Sequence, residues 1–446
     1  MELSKDKLAR QIINLATPAV LENISHTMLH LADAVMIACL GSVYLAAVAI
    51  AGVIVWRVIA TPGCIYAGAV AMVARYYGAR EFDKVRTTVA QALLMSLGIG
   101  LVITVFGIAG AGKFMTWMGA EPDVAQAGRI YLKIVLAASF FYLIEMVGAG
   151  CLRAAGDTRT PMFVGVFMNI LNIALSLLLI FGVWFFPKLG IKGAALGTAI
   201  ASITGGIFIV YVLFTSHSLI QISLKDLSKV RFDYIKKIIE ISIPFGLEEI
   251  VRSVGVLAFV RMIAVIGTVA LAAHTIAIRI ESISFTIGWG FAIAATTLVG
   301  QSLGKKDLEL ARLSFKYTTI YSVCIMSIIG AAFLFFPGLF LRLFQPEPDV
   351  WRLGIFCVQV MALEQPLLAL TMTLSGGIRG SGDTISPLLT GLLGVVFVRI
   401  FLCYILAFPL GMGFKGIYYG MVIDWAFRSA AIYYLYRRGR WTRIAL

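Results

Sequence analysis

Four ionisable side chains stand in a row near the start of this chain: Glu22, His26, His30 and Asp33. Steps of four, four and three residues put them on roughly one face of a helix, in a stretch that is otherwise largely apolar. A carboxylate kept out of water is costly in its charged form, so a proton can load onto it and leave again. Asp33 is therefore the expected ion-coupling site. His30, one turn away, is a candidate to tune Asp33 or share its proton, with a plain hydrogen-bonded histidine as the alternative. Glu22 and His26 are expected to pair with each other along the helix for stability.

Further along, Asn169, Asn172 and Ser176 recur at helical spacing. Their amides and hydroxyl could join a proton network or ligate Na⁺, while helix–helix hydrogen bonding is the ordinary explanation. Glu22, His26, Glu248 and Glu364 are secondary candidates. Glu364 has no basic neighbour in sequence and stands beside Pro366, which interrupts a helix. Glu145 is expected to pair with a loop arginine. Pro62, between Thr61 and Gly63, is expected to bend its helix.

The elements that must position these residues are membrane helices. The chain is 60% hydrophobic and 13% charged, with a mean hydropathy of +0.94, a composition that only lipid can solvate. Apolar runs of about 20 residues cross a bilayer, and twelve are read. Six fall in the first half, at 11–38, 46–74, 87–110, 130–151, 161–186 and 193–215. Six fall in the second, at 237–264, 270–300, 313–336, 350–378, 387–411 and 414–436.

The two halves repeat one another. Pro18 with Glu22 returns as Pro244 with Glu248, a shift of 226 residues that also carries Arg153-x-x-Gly156-Asp157-Thr158-x-x-Pro161 onto Arg379-x-x-Gly382-Asp383-Thr384-x-x-Pro387. Near the end the shift is 223, from Lys192-Gly193 to Lys415-Gly416. Six crossings per half is an even number, so the repeat is parallel and its pseudo-two-fold axis runs along the membrane normal. The expected fold is an all-α integral membrane protein of twelve transmembrane helices in two six-helix lobes. The lobes are residues 1–216 and 237–446, joined by a cytoplasmic linker at 217–236. His30 and Asp33 map onto Val256 and Phe259, so neither has a polar twin, and Asp33 is expected to do a job only one lobe performs.

Basic residues crowd alternate connections, which places both termini in the cytoplasm by the positive-inside rule. The same rule accounts for most of the net charge of +14, so nucleic acid is not an expected partner. The six cysteines form no C-x-x-C pair, and neither a disulfide nor a metal site is implied. Gly107-x-x-x-x-Gly112-Lys113 resembles the start of a phosphate loop, but Phe114 stands where Ser or Thr is required. No polar stretch is long enough for a nucleotide-binding domain, so the energy source is a gradient. An enzyme is the least expected reading, since no nucleophile, base and oxyanion set stands out.

At Leu31-Ala32-Asp33, Leu152-Arg153-Ala154-Ala155-Gly156-Asp157-Thr158, Ala272-Ala273-His274, Val299-Gly300-Gln301-Ser302-Leu303-Gly304 and Ile378-Arg379-Gly380-Ser381-Gly382-Asp383-Thr384 the chain resembles the multidrug and toxic compound extrusion (MATE) transporters, over nearly its whole length. The resemblance implies an antiporter in the inner membrane that exports organic cations in exchange for H⁺ or Na⁺ by alternating access, with Asp33 as the coupling carboxylate and Asn172 as the family's fifth-helix asparagine. Ser176 stands where some members have a second aspartate, which argues against a Na⁺ site, and Arg252 where another branch has an acid, which argues against coupling in the second lobe; the expected ion is H⁺. Small organic cations and the bilayer are the expected partners, with no cofactor beyond the coupling ion and a monomeric protein. A flippase for lipid-linked or other anionic amphiphiles is the alternative, served by Arg57, Arg252, Arg261, Arg279 and Arg399.

Overall fold

Each of the twelve apolar runs folds as a helix or a broken helix in a computed structural model, which describes residues 5–215 and 218–444, the side chains of Lys5 and residues 59–63 excepted. The first run is α1 (Lys5–Ala38). The second breaks at Cys64 into α2 (Ser42–Gly63) and α3 (Ile65–Gly78). The side chain of Pro62 lies outside the described residues, but its backbone closes α2, one residue before the end. Next come α4 (Phe82–Trp117), then α5 (Pro122–Ala137) and α6 (Ser139–Ala155), which are bent by 50° at Ala138. The half ends with α7 (Arg159–Phe181) and α8 (Ile191–Phe214).

The linker carries one short helix, α9 (Leu224–Leu227), capped by Ser223 and Asp226. Buried Gln91 of α4 holds its exit, donating to the Lys229 carbonyl (2.9 Å) and accepting from the Arg231 amide (3.0 Å). Ser216 and His217, where the linker was expected to begin, lie outside the described residues. The second half runs α10 (Phe232–Ile266), α11 (Thr268–Gly304), α12 (Leu308–Phe335), α13 (Pro337–Leu341) and α14 (Pro348–Gly380). It closes with α15 (Ile385–Leu392), which passes through a π-helical stretch (Leu393–Ile400) into α16 (Phe401–Ala407), and α17 (Gly413–Arg438).

The repeat is visible in the backbone as well as in the residues. Arg80 and its twin Lys306 both adopt φ 60°, and Gly156 and Gly382 turn the chain after α6 and α14 at φ 104° and 95°, a conformation that glycine adopts without strain. Among the described residues seven helices are long and apolar enough to cross a membrane, or eight with the bent α5–α6 pair. α1, α10 and α17 are 34, 35 and 26 residues long. They miss that measure because they carry ionisable residues, Glu22, His26, His30 and Asp33 in α1, Glu248, Glu249 and Arg252 in α10, and Asp424 and Arg428 in α17, and such residues inside a membrane helix are default candidates for function.

The chain forms two compact units. One comprises Met1–Val20, Tyr77–Arg80 and Ile243–Leu446; the other comprises Leu21–Tyr76 and Glu81–Ser242. They differ from the expected lobes by about one helix segment at the start of each half, for a packing reason. In the first unit Leu8, Ile12, Leu15 and Ala16 share a core with Phe291, Ala294 and Leu298. In the second, Ser242 accepts a hydrogen bond from the Gly68 amide of α3 (3.1 Å). Each long first helix changes unit close to its proline, Pro18 in α1 and Pro244 in α10.

Candidate functional site

Within the unit Leu21–Tyr76 and Glu81–Ser242, Asp33 is half-buried on α1 and makes no ion pair or hydrogen bond among the described residues. Tyr131 of α5 faces it, and the Tyr131 hydroxyl in turn reaches Thr198 of α8. Asn172 of α7 donates to Thr198 Oγ1 at 3.4 Å and accepts from Ser176 Oγ at 3.0 Å. Asp33, Tyr131, Thr198, Asn172 and Ser176 thus form one polar centre drawn from four helices. Asn169 does not join it: its amide donates to Ser25 Oγ (2.7 Å), tying α7 to α1. Tyr131 and Thr198 went unnoticed in the sequence. Their repeat partners are Cys357 and Met421, so the same polar-to-apolar asymmetry that singles out Asp33 would have found them.

Glu22 does not pair with His26. It accepts two hydrogen bonds from Arg153 Nη1, at 2.9 and 3.0 Å, across a gap of 131 residues. Helical spacing sees only neighbours on the same helix, and the guanidinium from the end of α6 offers a full charge and two donors. Glu145, one further carboxylate on α6, is buried and faces the same Arg153 and Glu22, so the expected loop-arginine partner is shared rather than its own. The second half repeats the clamp at the same separation, Arg379 Nη2 donating to Glu248 Oε1 at 2.6 Å. Gly165 and Gly391 lie against the two carboxylate stems, where an added Cβ would come to 3.1 and 3.4 Å of Glu22 Cγ and Glu248 Cγ. His26 stands next to Glu22, Arg153 and His30, while His30 is exposed.

The other unit has a different polar core. Asp424 is fully buried and accepts from Arg399 Nε (2.7 Å) and from Arg428 Nε and Nη2 (2.7 and 2.6 Å). Glu364 is fully buried too, and neither of its oxygens has a hydrogen-bond partner among the described residues, although Glu281 of α11 faces it. His274 Nδ1 and the Tyr418 hydroxyl are 2.9 Å apart. Of the arginines considered for anionic ligands, Arg252 pairs with Glu249 and Arg399 with Asp424. Arg261 and Arg279 are exposed, with no side-chain partner among the described residues. Among those residues no three His, Cys, Asp or Glu side chains converge as a metal site.

The model of the MatE family matches the chain twice, over residues 18–178 and 244–405, the two copies of the repeat. The chain belongs to the MATE family: it is a multi-pass membrane protein of a transporter family, not an enzyme. It is similar to a probable multidrug resistance protein NorM of Thermotoga maritima, 28% identical over 440 residues that cover 99% of this chain and 94% of that one. An uncharacterized transporter YisQ of Bacillus subtilis is 23% identical, covering 96% and 94%. Two solved structures share the fold. One is an outward-facing multidrug resistance MATE family transporter (TM-score 0.90, 23% identity, 98% and 97% covered). The other is a Pyrococcus furiosus transporter whose binding pocket is described as having reverse polarity (TM-score 0.89, 23% identity, 98% and 97% covered).

Proposed function

We propose that this protein is a secondary active multidrug efflux antiporter of the cell inner membrane, exporting organic cations in exchange for H⁺ by alternating access, with Asp33 as the coupling carboxylate and both termini cytoplasmic. The observation that carries the reading is a half-buried aspartate with no paired cation among the described residues, beside Tyr131 and the Thr198–Asn172–Ser176 chain. An unpaired carboxylate holds a bound cation or proton in turn, and taking up the proton cancels the charge that retains the organic cation. The small-molecule substrate class follows the multidrug resistance of the NorM relatives. Asn172 Oδ1 is already engaged by Ser176, which leaves it less free to ligate Na⁺ and supports H⁺.

Asp33→Asn is expected to abolish pH-gradient-driven ethidium efflux from proteoliposomes while the protein stays monodisperse in detergent. Undiminished efflux in that variant sinks the proposal. The second reading, a carrier of anionic amphiphiles, is favoured only by exposed Arg261 and Arg279; it predicts that Arg261→Gln and Arg279→Gln, and not Asp33→Asn, remove transport.

A further inference from the structure

We infer that the row Glu22, His26, His30, Asp33 on α1, closed at its foot by Arg153 and Glu145, is the route along which the proton held at Asp33 passes to and from Glu145. The inference rests on the reading of Asp33 as a proton-coupling group and adds where its proton goes.

Helix geometry supplies the path. At 100° per residue the four side chains fall within a sector of about 80°, and at 1.5 Å per residue they span roughly 16 Å along the axis. Neighbouring rungs lie one helical turn apart, within reach directly or across one water. The row is bounded by buried apolar residues at both ends, Ala19 and Leu15 below Glu22 and Ile37 above Asp33. Past Asp33 the same face continues to Ile37, 2% exposed, in a core with Met36 and Tyr131. Towards the start of α1 it continues instead through His30 and His26, which itself senses Glu22, His30 and Arg153.

Charge counting identifies the foot. Arg153 is one cation facing two buried carboxylates, and two of its hydrogen bonds go to Glu22. Glu145 is left without a cation of its own and is the group able to take the proton. The remaining polar groups facing the row are Tyr142 and Tyr66 beside the clamp, and Tyr131, Thr198, Asn169 and Asn172 beyond it. Among these groups there is no second cation.

The internal repeat separates the route from the scaffold. The second half keeps the clamp, Glu248 with Arg379, and at the places of His26, His30, Asp33 and Glu145 it has Arg252, Val256, Phe259 and Thr371. What both halves share holds α1 and α10 in place; what only the first half has is a continuous set of proton carriers. In each transfer an imidazole nitrogen takes the proton and the other ring nitrogen gives one up. Asp33 ends as a carboxylate, both histidines return to neutral, and the proton is carried to Glu145.

The test uses the full-length protein in pyranine-loaded proteoliposomes, with ethidium as the transported cation, comparing wild type, Asp33→Asn, His30→Gln and His26→Gln/His30→Gln. The double histidine variant is expected to lose coupled proton flux by at least about tenfold at saturating ethidium, to bind ethidium within about twofold of wild type, and to recover part of the flux in imidazole. Glu145→Gln is expected to slow the flux likewise. If the double variant moves protons at the wild-type rate while Asp33→Asn does not, the route is overturned and the coupling site stands. Full coupled flux in Asp33→Asn overturns the coupling site itself. Loss of ethidium binding in the histidine variants, or a flux loss that imidazole does not relieve, also overturns the route, because the histidines then act in the substrate site or in packing.

Discussion

Replacing Arg153 by glutamine removes the cation that sits between two carboxylates, Glu22 at 8% and Glu145 at 9% exposure. Breaking a buried ion pair from one side costs about 3–5 kcal/mol, because the partner stays buried and charged. At roughly 2–4 °C per kcal/mol for a unit of this size, the apparent Tm is expected to fall by on the order of 10 °C. Tryptophan fluorescence during thermal unfolding in detergent reads it. Adding Glu22→Gln to the same protein removes the orphaned charge, so the double variant is expected to recover more than half of the loss, a coupling energy of about 2 kcal/mol. Arg379→Gln is expected to cost less, since Glu248 is only partly buried and takes one hydrogen bond, its other oxygen having no partner among the described residues. The reasoning fails if Arg153→Gln lies within about 2 °C of wild type, or if the double variant loses the sum of the two single losses.

Three further outcomes follow from individual contacts. Thr198→Val removes the oxygen that Asn172 and Tyr131 approach and is expected to cost about 1–3 kcal/mol of stability, read as a lower apparent Tm; an unchanged Tm means the network is not formed. Glu364→Gln, at a fully buried acid whose oxygens have no hydrogen-bond partner among the described residues, is expected to leave the Tm unchanged or higher, and a fall of several degrees would refute that. Gly376→Ala puts a Cβ 2.5 Å from the Ala292 carbonyl oxygen and is expected to destabilise by about 1–3 kcal/mol, measured in the same way.

Apolar runs, turn residues and the internal repeat made the helices legible before any coordinates, because helix formation in lipid depends on local composition and satisfied backbone groups. Partnerships were less legible. Periodicity joined Glu22 to His26, yet a buried carboxylate goes to the strongest donor in reach, and Arg153 lies 131 residues away. The signal was present all the same: the repeat preserves Glu22 with Arg153 and Glu248 with Arg379 together, while the histidines have no twins. The polar centre was half visible. Asp33, Asn172 and Ser176 stand out as polar residues in apolar runs, whereas Tyr131 and Thr198 are residue types that any helix in lipid carries. The change of unit near Pro18 and Pro244 was not readable, since amphipathic spacing shows which face is buried and not against which neighbour.

The mixed ancestry of the first unit bears on how the protein is made. Leu8, Ile12, Leu15 and Ala16 complete their core with Phe291, Ala294 and Leu298, and α11 passes them so closely that a Cβ on Gly290 would meet the Ala16 carbonyl oxygen at 3.0 Å. At 5–20 residues per second, the ribosome needs on the order of tens of seconds between synthesising these two segments. During that interval the amino-terminal stretch is inserted without its mate. Cutting the gene at the linker would accordingly give two fragments that must be born together, neither able to finish folding alone.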